Sequence, residues 1–348
     1  MRTVRLSGKI NGTEDPNRET RAHMLYTLFA AGWDIQNSNG DEDITLCNIE
    51  EKIIAANAFM FMPDPSLQDI FKAVSIFVGY QTLDQNLASK PTVILDTNNS
   101  WQALFSLLDS LRSLGTIEQN YKDYLLAAHT TTEALEHLQN IHENGIPSVG
   151  REKIKESQTQ SFSLGKPSNI KHNICVFCSA SIKDQNYLDE GYVLGKKLAE
   201  SNIGCVSGAG KTGVMGTVVR GCVDAGGWAA GSNVPHIIEL EGLPEGLAEF
   251  WLRDDIYTRM EVMIEKSDGF IIFPGGSGTV QETLALLIFK NMQHPLMQNK
   301  PIVIYNKPIN TKKTEGFWDS LIELLEPWND GKHFSVVEDI DEAIKLAH

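Results

Sequence analysis

A chain of 348 residues is longer than one compact core usually organises, so two domains are expected. Hydrophobic residues make up 42%, enough for sizeable cores. A net charge of −15 opposes binding to nucleic acid or to an anionic membrane surface, and leaves room only for a locally basic pocket holding one small anion. The five cysteines, Cys47, Cys175, Cys178, Cys205 and Cys222, are odd in number and sparse, which suits a reducing compartment better than a disulfide framework. The opening MRTVRLSGKI has no apolar leader, and no run approaches the ~20 apolar residues a membrane span needs. A cytoplasmic location is expected.

In chain order, residues 1–139 read as a shortened α/β unit. NAFMFMPDPS is a buried strand running into a turn, a helix follows, and KPTVIL from Lys90 is the next strand. WQALFSLLDSL from Trp101 and TTEALEHL are helices. The stretch 140–170 is polar, lacks apolar periodicity and carries Gly145, Pro147, Gly150, Gly165 and Pro167, so it reads as a linker with room for some ordered segments.

From 171 to 348 strand and helix alternate. The apolar runs KHNICVFC, NIGCVSG, WAAGSNVP, GFIIFPGG and PIVIYN read as strands. DQNYLDEGYVLGKKLAESN reads as a helix with Leu188, Tyr192, Gly195, Leu198 and Ala199 on one face. GVMGTVVRGCVDAGG, DIYTRMEVMIEKS, TVQETLALLIFKNMQ, WDSLIELLEPW and DIDEAIKLAH are further helices. This alternation predicts a Rossmann-like parallel sheet with helices on both faces. Cys175 and Cys178 form one CxxC inside ICVFC, with no second pair at zinc spacing. A buried strand explains them better than a metal site.

The first part repeats the order of the second. Phe59 and Pro63 match Phe270 and Pro274, and KPTVIL matches KPIVIY. The tryptophan-led helices at Trp101 and Trp318 correspond, and TTEALEHL matches DIDEAIKL. The first copy is shorter before its PDPS turn and lacks a glycine-rich turn. It carries Asp64 and Pro65 where the second has Gly275 and Gly276, and Phe71 where the second has Glu282. Aspartate repels phosphate and proline removes an amide donor, so the copy keeps the architecture without the anion site. Packing, oligomerisation or regulation is its expected role.

In the second part, Pro274-Gly275-Gly276-Ser277-Gly278-Thr279 joins a strand to a helix expected to begin near Thr279. Glycines free backbone amides to face a ligand, and the helix N-terminus adds unpaired N–H groups, so this loop suits a phosphate. SGAGKTGVMG, Ser207–Gly216, also links a strand to a helix. A P-loop would need glycine at position 205, which is Cys205, so a turn lying against a ribose or base fits better than an NTPase. Glu282 stands three residues after Thr279, a spacing that serves a capping box as well as a catalytic carboxylate. Arg259 reads by default as a solvated helix residue. Beside a phosphate pocket, however, a carboxylate and an arginine suit cleavage of an N-glycosidic bond, whose ribosyl centre becomes cationic as the base departs.

Pro274-Gly275-Gly276-Ser277-Gly278-Thr279-Val280-Gln281-Glu282 meets in full the PGGxGTxxE pattern of the LOG (LONELY GUY) family, the cytokinin riboside 5′-monophosphate phosphoribohydrolases once labelled lysine decarboxylases. Gly208–Gly216 resembles that family's GGGxxGLMG turn, Ala225-Gly226-Gly227 its AGG, and Val234-Pro235 its isoleucine–proline. The resemblance covers the second part. It implies a Rossmann-like, usually dimeric or larger homo-oligomeric protein that hydrolyses a nucleoside 5′-monophosphate to free base and ribose 5-phosphate, with no cofactor and no metal. It places catalysis on Glu282 and Arg259 and the phosphate on Gly275, Gly276, Ser277, Gly278 and Thr279. Ribose and base fall to Ser181, Gly208, Gly210 and Met215. The chain departs from the family at Met260 for a lysine, Tyr257 for a histidine, Gln281 for a glutamate, and Cys178-Ser179-Ala180-Ser181 for CGSS. The departures surround the base and ribose rather than the phosphate, which leaves the identity of the base open and keeps a non-catalytic nucleotide or cofactor binder, a sensor or carrier, as the alternative.

Overall fold

The computed structural model describes residues 2–8, 17–38, 56–82, 90, 92–117, 120–144, 159–308, 315–329 and 333–348. Cys47 and part of the expected linker, 145–158, lie outside the described residues. The chain divides into two units, Met1–Arg112 with Ile117–Glu152, and Ser113–Thr116 with Lys153–His348.

The first unit holds strands β1 (Arg2–Ser7), β2 (Trp33–Ser38), β3 (Ala58–Phe61), β4 (Thr92–Leu95) and β5 (Leu125–Ala128), with helices α1 (Arg18–Ala30), α2 (Leu67–Thr82), α3 (Gln102–Ser113) and α4 (Thr131–Asn144). Its sheet is parallel throughout in the order β2-β1-β3-β4-β5. β3 and β4 are buried at every position and apolar apart from Thr92, as suits strands covered on both faces. In the PDPS turn the Asp64 amide donates to Ser100 Oγ at 2.8 Å, and its carboxylate accepts from Asn17 and Asn98. The polar groups of that turn serve the turn itself, and Phe71 is core.

The second unit holds β6 (Phe162–Ser163), β7 (Asn173–Phe177), β8 (Gly204–Ser207), β9 (Ala229–Asn233), β10 (Glu249–Leu252), β11 (Gly269–Ile272), β12 (Ile302–Tyr305) and β13 (Ser335–Val337). The helices are α5 (Gln185–Glu200), α6 (Gly213–Asp224), α7 (Pro235–Glu241), α8 (Ile256–Glu265), α9 (Ser277–Asn291), α10 (Asp319–Leu325) and α11 (Ile340–Leu346). The sheet order is β13-β12-β11-β7-β8-β9-β10-β6, parallel except for the edge strand β6. Both units are therefore Rossmann-like. The order β2-β1-β3-β4-β5 is reproduced by β8-β7-β11-β12-β13, so the two units share a strand order and the first is the smaller.

The expected linker 140–170 holds ordered segments: α4 runs to Asn144, and Phe162–Ser163 pairs with β10. Helix α9 starts at Ser277, near the expected Thr279. One expectation needs correction. The buried face of α5 is Tyr187, Gly191, Leu194, Gly195 and Leu198, because two of its positions are glycines that bring α6 close.

A Cβ on Gly195 would overlap the Val218 carbonyl, and one on Gly221 would overlap the Tyr192 carbonyl, so α5 and α6 touch backbone to backbone. Gly195→Ala must push these helices apart, at a cost of about 1–3 kcal/mol. A melting temperature lower by roughly 2–12 °C checks this, and an unchanged one contradicts it.

Candidate active site

The chain runs from β7 outward to β8, β9 and β10, then returns to place β11 on the other side of β7. The carboxyl edge at β7 and β11 is therefore the switch point of this sheet, where ligands of open parallel sheets bind. Four connections leave that edge side by side. They follow β7 at Cys178–Ser181, β8 at Gly208–Thr212, β9 at Val234 and β11 at Phe273–Gly276. Backbone bonds tie them together: Ser179 N–H donates to Pro274 O at 3.3 Å, and Met215 N–H donates to Ser179 O at 3.0 Å.

The β11–α9 loop has the features of an anion site. Gly276 is the N-cap of α9 in extended conformation and brings no side chain to cap it. The positive end of the helix dipole therefore lies at a glycine. A Cβ on Gly275 would overlap the Thr279 side chain, whereas a Cβ on Gly278 would meet nothing within 4 Å. Gly275 thus lets the loop close on Thr279, and open space lies beside Gly278. Ser277 and Thr279 are buried.

Glu282, one turn into α9, does not cap its helix. Its Oε1 accepts from Arg259 Nη1 at 3.5 Å, with both side chains buried. Arg259 comes from α8, whose N-cap Asp255 accepts from the Tyr257 and Thr258 amides and fixes the helix start. The guanidinium also donates from Nε to Ser232 O at 3.0 Å and from Nη2 to Gly208 O at 3.3 Å. A Cβ at Gly208 would overlap Nη2, which is the reason for glycine there. Arg259 is thus a buried residue gripped by the ends of β8 and β9, not a solvated one.

Burial pushes the Glu282 carboxyl up to about 7; Arg259 opposes the shift and the carboxylate of Glu241 adds to it. A raised carboxyl keeps its proton in the folded state between its ordinary value near 4.5 and about 7. The folded state then binds more protons than the unfolded chain, and the stability this contributes is present at low pH and lost as pH rises through 7. Melting curves between pH 5 and 8 should fall in wild type and fall less in Glu282→Gln. Parallel curves would contradict the shift.

The remaining expected residues divide. Gly210 and Met215 belong to the same turn, with the Gly210 amide 3.0 Å from Met215 Sδ. Ser181 is exposed and bonds to Ser179, which is itself buried. Lys211, the P-loop-like lysine, pairs with Glu245 at the surface. Met260 is wholly buried core and Tyr257 is nearly so, which explains apolar side chains at those departures. Cys175 and Cys178 are buried, and burial raises both thiols. One site residue escaped the sequence: Glu241, the last residue of α7, whose carboxylate lies against Gly210. Pro235 at the first helical position was the signal for α7.

A family model described as "Possible lysine decarboxylase" matches residues 215–346. A probable cytokinin riboside 5′-monophosphate phosphoribohydrolase of Arabidopsis thaliana, LOG6, is 31% identical over 163 residues, covering 46% of this chain and 76% of that protein. The chain belongs to the LOG family. Another relative, LOGL6 of Oryza sativa subsp. japonica, also named a probable enzyme of this type, is 29% identical over 174 residues. The match spans 50% of this chain and 66% of that relative, and only 58% of the rice relative LOGL5. Among solved structures, a molybdenum cofactor binding protein from Rippkaea orientalis is 19% identical with a TM-score of 0.40, covering 51% of this chain and 94% of that one. Among the described residues, no helix is long and apolar enough to cross a membrane.

Proposed function

We propose that this LOG-family chain hydrolyses the N-glycosidic bond of a nucleoside 5′-monophosphate, giving free base and ribose 5-phosphate. The observation that carries the reading is the buried Glu282–Arg259 pair, one helical turn from the glycine N-cap of the PGGSGT loop. The loop and helix N-terminus take the 5′-phosphate through Gly275, Gly276, Ser277, Gly278 and Thr279. The sugar then lies toward Glu282. As the C1′–N bond breaks, positive charge grows on the ribosyl carbon and the carboxylate stabilises it. Water supplies the new C1′–O bond. Its proton passes to Glu282, and the departing nitrogen takes a proton from solvent. A carboxyl near 7 is matched to accepting that proton at neutral pH. Arg259 holds Glu282 in place and keeps part of it ionised.

The relatives named for this activity support the reading, as does the second unit's topology. Self-association as a homodimer or larger homo-oligomer belongs to the proposal. So do the absence of nucleic-acid and membrane partners and the 1–139, 140–170 and 171–348 division of labour, with catalysis in the last segment. A carrier or sensor is the second reading, favoured by Met260, which puts a buried apolar side chain where the family pattern has lysine. Chromatography of base and ribose 5-phosphate after incubation with nucleoside monophosphates separates the two. Tight binding by calorimetry without any turnover would leave the second.

A further inference from the structure

Glu241 has no structural employment. It closes α7, where the helix dipole disfavours a carboxylate. Burial raises its carboxyl, and Arg259 is the one charge that lowers it. Glu241 is only partly buried, and no donor among the described residues bonds to it. The backbone nevertheless makes room for it. A Cβ at Gly210 would lie 2.5 Å from Glu241 Oε2, so glycine at that position admits the carboxylate. Lys211 N–H donates to Gly242 O at 3.2 Å, pinning the end of α7 to the β8–α6 turn. Glu241 also acts on Glu282 and on Cys178 at the end of β7, so it belongs to the same edge of the sheet as the catalytic pair.

We propose that Glu241 binds the vicinal 2′,3′-diol of the ribose and makes the site selective for ribonucleotides over 2′-deoxyribonucleotides; this rests on the hydrolase reading above. A second carboxylate whose charge is felt by Glu282 repels phosphate, which has its own seat at α9. It needs donors that carry no negative charge. With C1′ held at Glu282, the hydroxyls on the next two ring carbons are the donors within reach. A carboxylate accepts both at once, as acidic residues at the strand ends of nucleotide-binding sheets do. Exocyclic groups of the base lie farther from C1′.

The test compares wild type, Glu241→Gln and Glu241→Ala, as full chains, on matched ribo- and 2′-deoxyribonucleoside monophosphates. Wild type should prefer the ribonucleotide, with the preference in kcat/KM cut by about 10- to 100-fold in Glu241→Ala. Melting temperature should stay close to that of wild type in both variants, since Glu241 bonds to no other group among the described residues. Equal losses on both sugars, or a lowered melting temperature with the preference intact, would overturn the assignment. Should the wild type hydrolyse nothing, calorimetry with ribose 5-phosphate and 2-deoxyribose 5-phosphate decides separately. A ribose preference lost in Glu241→Ala sustains the proposal, and equal or no binding of the two sugars to wild type ends it.

Discussion

Glu282→Gln keeps the fold and loses base release, with kcat lower by about 10²–10⁴-fold and monophosphate affinity nearly unchanged. The substitution preserves size and leaves an oxygen for Arg259 Nη1, so the buried contact survives in neutral form. It removes the charge that stabilises the ribosyl cation and the base that takes the water proton. The phosphate grip, built from amides and glycines of the preceding turn, is untouched. In wild type, kcat should rise with pH through about 7 as the carboxyl ionises, and that limb should be missing from whatever rate the variant retains. A variant that turns over at the wild-type rate would remove Glu282 from the chemistry. One that no longer binds monophosphate would mean that the carboxylate organises the loop instead.

Gly208→Ala should be nearly as damaging without touching a charged residue. The backbone at Gly208 is not in a left-handed conformation, so alanine is not excluded by φ. The new methyl would occupy the place of Arg259 Nη2. The guanidinium must leave the Gly208 carbonyl and swing off Glu282, because its three bonds share one rigid plane. Loss of about 100-fold in kcat is expected from displacement on this scale. With Arg259 moved, the charge that holds the Glu282 carboxyl down is weakened, so the acidic limb should shift to higher pH. A full rate with an unshifted limb would show that Arg259 is not needed where it stands.

Much of this architecture was legible in the sequence because buried parallel strands are short apolar runs. β7, β8, β9, β11 and β12 stand in runs of that kind. In the first unit β1, β2 and β5 went unread. In the second β6, β10 and β13 were missed, since two to four residues at or near a sheet edge carry too little pattern. The duplication read from matched turns reappears as a shared strand order, which no local pattern could supply. Within the site, the phosphate loop was legible because glycine spacing is local. Arg259 was not: its burial depends on carbonyls 27 and 51 positions away in the chain. The capping reading of Glu282 was equally reasonable on spacing, and was decided by an arginine 23 residues distant. Glu241 lay hidden in a helix of seven residues, and only the fold brings it beside Gly210.

The central claim is hydrolysis at C1′ of a phosphorylated ribonucleoside. It is tested most directly by incubating the full chain with ribonucleoside 5′-monophosphates and their unphosphorylated nucleosides, and separating base and ribose 5-phosphate by chromatography. The account predicts release from monophosphates only, in equal amounts of the two products, and none with Glu282→Gln. Release from unphosphorylated nucleosides at the same rate, or no release from any monophosphate at high enzyme concentration, would contradict it.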